Sequence, residues 1–166
     1  HIPGITSNDM YAVNMLNTLL AQGQSSRLYS TIVNDKQMAM ELAAMPLPLE
    51  QPGLSIVLAL PNMNVELSQL ENEIDKEIDK LQKEPISDKE FQKLQNQIEN
   101  QLVSSNATIE DRAYNLAQAY TYFKNTNEIN EELAKFRSIT KEDLQKAAQK
   151  YFTKDNRLVL YYLPKK

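Results

Sequence analysis

The 166-residue chain is 42% hydrophobic and 24% charged, with a formal net charge of -4, a balance that suits one compact domain with a sizeable core and argues against extensive disorder. Its acidic residues are interspersed with lysines rather than blocked, which argues against a nucleic-acid or anionic-membrane surface, since both need clustered Lys and Arg. With no cysteine in the chain, disulfide frameworks and thiolate zinc sites are excluded, and cysteine usage leaves the compartment open.

The chain opens at His1-Ile2-Pro3-Gly4 without an initiator Met or a signal peptide, which reads as a fragment of something longer. No apolar run approaches the roughly 20 residues of a membrane span. A first helix starts near Ser7 or Asn8, either of which can cap it, and carries Met10, Val13, Leu16 and Leu20 on one face. Gly23 sits where its C-cap belongs. After the Gly23–Ser26 break, a short second helix carries Leu28, Ile32 and Val33. Two strands follow, around Met38–Met45 and Leu54–Leu60, separated by Pro46, Pro48, Pro52 and Gly53. The second is nearly continuous apolar, as expected of a central strand covered on both faces.

A long helix then spaces Leu67, Leu70, Ile74, Ile78 and Leu81 by threes and fours, and Pro85 ends it. Ser87 and Glu90 form a capping box for the next helix, with Phe91, Leu94, Ile98 and Leu102 inward. Thr108 and Asp111 cap another, whose expected buried stripe is Ala113, Leu116, Ala117 and Tyr120. A polar stretch, 125–130, precedes a short helix with Leu133 and Phe136. Thr140 and Asp143 cap the last helix, through Leu144, Ala147, Ala148 and Tyr151, and a strand from Arg157 to Leu163 closes the chain before Pro164. Helices outnumber strands and do not alternate with them, which predicts an α+β fold with helices on one face of a sheet. Residues 1–166 read as a single domain whose sheet lacks its N-terminal strands.

The chemistry is mostly negative. The one histidine, His1, stands at the terminus, so neither H-E-x-x-H nor H-x-x-E-H can be written, and no Ser–His or Cys–His arrangement exists without it. No phosphate-cradling glycine loop is present. Glu71, Glu73, Asp75, Glu77 and Asp79 alternate with Lys76 and Lys80, which predicts a solvated helix face rather than a cation site. Tyr120, Tyr122 and Phe123 are expected in the core, with Tyr161 and Tyr162 on opposite faces of the last strand.

Gly23-Gln24-Ser25-Ser26-Arg27-Leu28-Tyr29 is similar to the G-x-S-S-R-L-Y element of pitrilysin/insulinase-type peptidases and of mitochondrial processing peptidase. Ile139–Leu144, Ala147–Phe152 and Asp155–Arg157 resemble that family's closing helix, turn and last strand. Pro52-Gly53-Leu54 and Phe91–Gln97 fall in the expected order between them, so the resemblance covers essentially the whole chain. From the residues alone, Gly23 suits a left-handed helix end, Ser25 or Ser26 a helix cap, and Arg27 a carboxylate or carbonyl partner.

The resemblance implies the C-terminal, non-catalytic half of a zinc metallopeptidase, on a mixed, mostly antiparallel α+β fold of the processing-peptidase/LuxS-like metallohydrolase type. It implies a homologous zinc-bearing half, on the same chain or a separate subunit, enclosing a peptide-binding chamber with this one. Zinc belongs to that half and no metal, cofactor or catalytic residue to this one. Some members place an arginine and a tyrosine near the second strand of this half to hold substrate, but residues 54–64 contain neither. Gly23, Ser25, Ser26, Arg27, Leu28 and Tyr29 are accordingly read as structural. The alternative is a purely structural relative resembling the family's core subunits in a respiratory complex, without peptidase activity. An exposed edge would favour homo-oligomers, and the exported bacterial relatives lean the localisation toward the periplasm.

Overall fold

Helix α1 (Asp9–Ala21) is apolar around almost its whole circumference, so it can be stable only with neighbours on every side. The computed structural model, which describes residues 1–163, surrounds it with β1 (Ala39–Leu47) on one side and with α3 (Asp88–Ser104), α5 (Glu128–Ser138) and α6 (Lys141–Tyr151) on the others. The Ser7 hydroxyl, not Asn8, accepts the Asp9 N–H at 3.3 Å at its start. Pro164 lies outside the described residues.

β1 pairs antiparallel with β2 (Leu54–Pro61), in register from Leu47↔Leu54 to Ala39↔Pro61 with an irregularity between Ala39 and Glu41. The connection turns at Gly53, where any side chain would collide with the Leu47 carbonyl. Because opposed residues share a face, Leu42, Ala44, Val57 and Ala59 point inward against the core. Ser55 joins them and donates its hydroxyl to Asn17 Oδ1 at 2.6 Å, while Asn17 Nδ2 donates to the Val13 carbonyl at 2.9 Å. That pair satisfies a buried amide and fixes the sheet on α1.

The remaining helices form where the caps and apolar spacing place them. α2 (Leu67–Lys83) lies along α6, and Gln82 clasps the two. Its side-chain amide donates to the carbonyls of Ala148 (3.3 Å), which also accepts the Phe152 N–H, and of Phe152 (2.7 Å) at the end of α6, and its main-chain carbonyl accepts from Gln145 and Gln149. Full capping boxes open α4 (Ile109–Phe123) at Thr108/Asp111 and α6 at Thr140/Asp143. At α3 only half of the predicted box forms: Ser87 accepts the Glu90 N–H, and the Glu90 carboxylate turns to Arg27.

The α+β class with helices on one face is borne out, with four departures. The second helix is a π-helix, Tyr29–Asp35. β2 is not covered on both faces: Leu54, Leu58 and Leu60 are exposed, since among the described residues the sheet has two strands and no layer on its outer side. Residues 157–163 form no strand, because a groove separates them from β2 and leaves their backbone without a ladder. The stripe on α4 is not buried either. Ala113, Leu116, Ala117 and Tyr120 lie exposed and only Ala119 is buried, because α4 packs on α5 and stands clear of the sheet.

These placements set a contrast in stability. Leu144→Ala, at a fully packed α6 position, should cost about 2–5 kcal/mol. Leu116→Ala, on the open side of α4, should cost under about 1 kcal/mol. Urea unfolding of both variants checks the pair.

Candidate functional site

The 23–29 element turns the chain from α1 onto α3. Gly23 adopts φ +86, the left-handed region that glycine enters without strain. Its carbonyl accepts both the Ser26 N–H (3.0 Å) and the Ser26 hydroxyl (2.7 Å), closing the turn. The serines therefore do not cap the following helix: Ser26 is buried inside the turn, and Ser25 accepts Lys93 Nζ at its hydroxyl (2.6 Å) and its carbonyl (2.9 Å). Arg27 donates through Nε and a terminal nitrogen to the two oxygens of Glu90, at 2.6 and 2.8 Å, a bidentate pair that α3 presents one turn before Lys93. Leu28 is wholly buried, and Tyr29, half-buried, opens the π-helix. Gln97 adds a bond to the Gln22 carbonyl at 3.2 Å. Apart from the Gln24 carbonyl, which accepts Asn34 Nδ2 of the π-helix at 3.3 Å, the side-chain contacts that leave this element end on α3 and clamp the turn to it.

The acidic face of α2 departs from the solvated reading. Glu77 is only 4% exposed and pairs with Lys80 at 2.6 Å. Glu73 pairs with Lys36 and Lys76. Glu71 and Asp75 together grip Arg157, Asp75 also meets Lys154, and Glu71 accepts the Tyr161 hydroxyl. Burial pushes the Asp75 carboxyl up, but Arg157 and Lys154 outweigh it and hold it below its ordinary value. These carboxylates anchor the segment after α6.

A second cluster was invisible in the polar 125–130 stretch. Glu128, buried, accepts the Tyr11 hydroxyl at 2.8 Å and pairs with Lys135, while Tyr11 meets the Phe136 ring edge-on at 5.0 Å. Burial and then the Glu128 charge raise the Glu132 carboxyl. Nearby, Phe123 lies under Lys135 Nζ at 5.8 Å, whereas Tyr120 is exposed beneath Lys124 rather than in the core. Tyr162 is 99% exposed, and Tyr161 turns its hydroxyl toward α2.

Zinc does not fit these residues. The one imidazole is His1, the carboxylates of α2 are already bonded to cations, and no group of three or more His, Cys, Asp or Glu among the described residues is placed to hold a metal. What the molecule does offer is surface. On the outer face of the sheet Met45, Leu47, Leu54, Leu58 and Leu60 stand together, apolar and open, with Glu41 at one end. Beside the free edge of β2 runs a groove of about 530 Å³, walled by Val57, Ala59, Leu70, Ile74, Leu158 and Leu160.

The Arg27–Glu90 pair carries a pH signature. The hydrogen bonds from Arg27 hold the Glu90 carboxyl below its ordinary value of 4.5. A depressed carboxylate contributes stability that is complete above its unfolded value and is lost as pH falls through the folded one. Arg27→Ala should therefore cost about 1–2 kcal/mol at pH 7 for this partly buried pair. The gap from the parent chain should close as pH drops below 4.5. Urea unfolding of both chains at a series of pH values reads that closure.

Comparison with known proteins places these features. The sequence profile described as the peptidase M16 inactive domain matches residues 1–98, more than half of the chain. The chain is 26% identical over 162 residues to the zinc protease PqqE of Helicobacter pylori, a match that takes in 98% of this chain and 36% of that protein. Its fold superposes on the crystal structure of a protease from Helicobacter pylori with a TM-score of 0.84 and 25% identity, covering 92% of this chain and 37% of that one. It also superposes on an inactive peptidase domain, assigned to a zinc protease of Bordetella parapertussis, with a TM-score of 0.88 and 22% identity over 99% of this chain and 89% of that one. The chain thus spans little more than a third of the two Helicobacter proteins and nearly all of the Bordetella domain. It belongs to the peptidase M16 inactive-domain family.

Proposed function

We propose that this chain is the non-catalytic half-domain of a zinc metalloendopeptidase and forms the wall of a peptide-binding chamber opposite a zinc-bearing half. The observation that carries the reading is the one-sided sheet. Helices cover its inner face, while its outer face leaves Leu58 56% and Leu60 53% exposed amid other apolar side chains. A contiguous apolar face of this kind marks a surface that meets another polypeptide. Family membership and a relative named a zinc protease support what that polypeptide is: a half that carries the metal, with peptide between the two.

In this division the present chain contributes shape and enclosure. Its own polar groups are spent on holding the wall rigid: Arg27, Glu90 and Lys93 lock the helices behind the sheet, and Asn17 with Ser55 ties the sheet to them. An apolar wall excludes water from a bound peptide and strengthens the peptide's polar contacts to the other half. Zinc, where bound on the other half, supplies the water-activating chemistry.

The test is to purify this chain with a zinc-bearing half, drawn from the same polypeptide or from a separate subunit. The chain alone should cleave no unfolded peptide, and the pair should cleave with loss on chelation. Leu58→Asp with Leu60→Asp should weaken association or peptide capture by about tenfold or more, because two charges then occupy an apolar interface. Association without cleavage, insensitive to these substitutions, would favour a purely structural subunit.

A further inference from the structure

We infer that the open face of α4 is a self-association surface, on which a second copy of this chain seats its own α4 antiparallel about a two-fold axis at Ala117. A helix at the margin of a domain ordinarily turns charged residues to water. On α4, no residue from Ala113 to Phe123 is charged. The helix packs on α5 with Ala119 buried, while its other side leaves Tyr114 63% and Tyr120 61% exposed, with Ala113 and Ala117 open as well. At about 100° per residue, Glu110, Tyr114, Tyr120 and Lys124 all fall within about 60° of Ala117. Lys124, at the C-cap, keeps to this side, since its Nζ lies 5.9 Å from the centre of the Tyr120 ring. Gln118 steadies Tyr114 by donating to its hydroxyl at 3.1 Å.

The charges at the two ends identify the occupant. Asp111 is taken up by the Thr108 cap, and Arg112 turns back to donate to the Asn106 carbonyl at 2.8 Å. Glu110 and Lys124 are exposed, and no ion pair among the described residues involves either. A complement to this face must therefore be uncharged in the middle, basic beside Glu110 and acidic beside Lys124. A second α4 laid antiparallel meets all three conditions. Ala117 lies midway between Glu110 and Lys124, and midway between Tyr114 and Tyr120. The two-fold axis then sets each Glu110 beside Lys124 of the second copy and each Tyr114 beside its Tyr120. Alanine at the crossing allows the close approach that helix packing needs, and the opposed helix dipoles act in the same sense. Tyrosine suits a surface that is wet when alone and dry when paired. A parallel pair would instead oppose Glu110 to Glu110 and Lys124 to Lys124. None of this rests on the peptidase role, since α4 stands clear of the sheet whose outer face carries that reading.

Sedimentation of the 166-residue chain over a concentration series should show a monomer–dimer equilibrium. One helix pair buries less than the roughly 1,600 Å² of a standard interface, so a dissociation constant in the micromolar range is expected. Ala117→Glu keeps a good helix former but sets two like charges at the axis, and should weaken the dimer about tenfold or more. Glu110→Lys alone and Lys124→Glu alone should each weaken it too. An equal mixture of those two variants should dimerise, because every end-to-end contact in the mixed pair again joins opposite charges. Thermal midpoints close to that of the parent chain separate lost association from lost folding. Leu58→Asp with Leu60→Asp should leave the equilibrium unchanged. A parent chain that stays monomeric at every concentration would overturn the inference. So would a dimer indifferent to Ala117→Glu, which would assign self-association to another surface, or a charge-reversed mixture that fails to dimerise.

Discussion

Ten of the 13 residues of α1 are buried, two of them polar, so the helix has no face that water can satisfy. Its burial is the condition that arranges everything else. β1 and β2 lie on it as a two-stranded layer, α6 and α3 close its flanks, and α5 reaches it through Tyr11 and Phe136. Asn17 makes the arrangement specific. A buried amide must find partners or cost several kcal/mol, and Asn17 finds them only when the Val13 carbonyl and the Ser55 hydroxyl are both in place. The sheet cannot slip by one residue without turning Ser55 to the outer face and leaving that amide unmet.

A buried helix must still leave the core, and the 23–29 element manages the exit. Glycine reverses the chain, Ser26 seals the turn, and Arg27 with Ser25 fasten it to two positions one turn apart on α3. The family resemblance of this motif thus has a mechanical content independent of catalysis. Its arginine is a bidentate bolt on a carboxylate that a helix capping box would otherwise have used. Glu90 serves the longer-range contact at the expense of the local one, and the cap at Ser87 is left half made.

Most of the helices were legible because their signals are local. Thr108 with Asp111 and Thr140 with Asp143 announce helix starts within four residues, and both boxes form. Leu70, Leu81, Leu94 and Leu144 are buried on the faces that their spacing assigns. The misreadings share a different cause. Periodicity says that an element has an apolar face; it does not say that the same chain covers it. Leu116 and Tyr120 follow helical spacing as well as Leu94 does, yet α4 has only α5 beside it. Leu58 and Leu60 follow the strand pattern of a buried run and stand in the open. The acidic residues of α2 were misread in the opposite sense. Their partners, Arg157 and Lys36, come from distant sequence, so Asp75 and Glu73 looked like a solvated row.

Residues 157–163 show where the two kinds of information meet. The alternating apolar sequence is that of a strand, and Arg157 and Tyr161 tie it to the carboxylates of α2. Yet hydrogen bonding in a ladder is contact-limited: strands must come within about 5 Å of each other, and the groove between this segment and β2 keeps them apart. The segment is therefore left without a ladder, with Leu158 and Leu160 exposed. The outer sheet face and the α4 stripe are likewise patterns of burial that the 163 described residues do not complete. A domain whose own core closes around α1 needs none of these surfaces for its stability, which leaves them free to serve contacts beyond it.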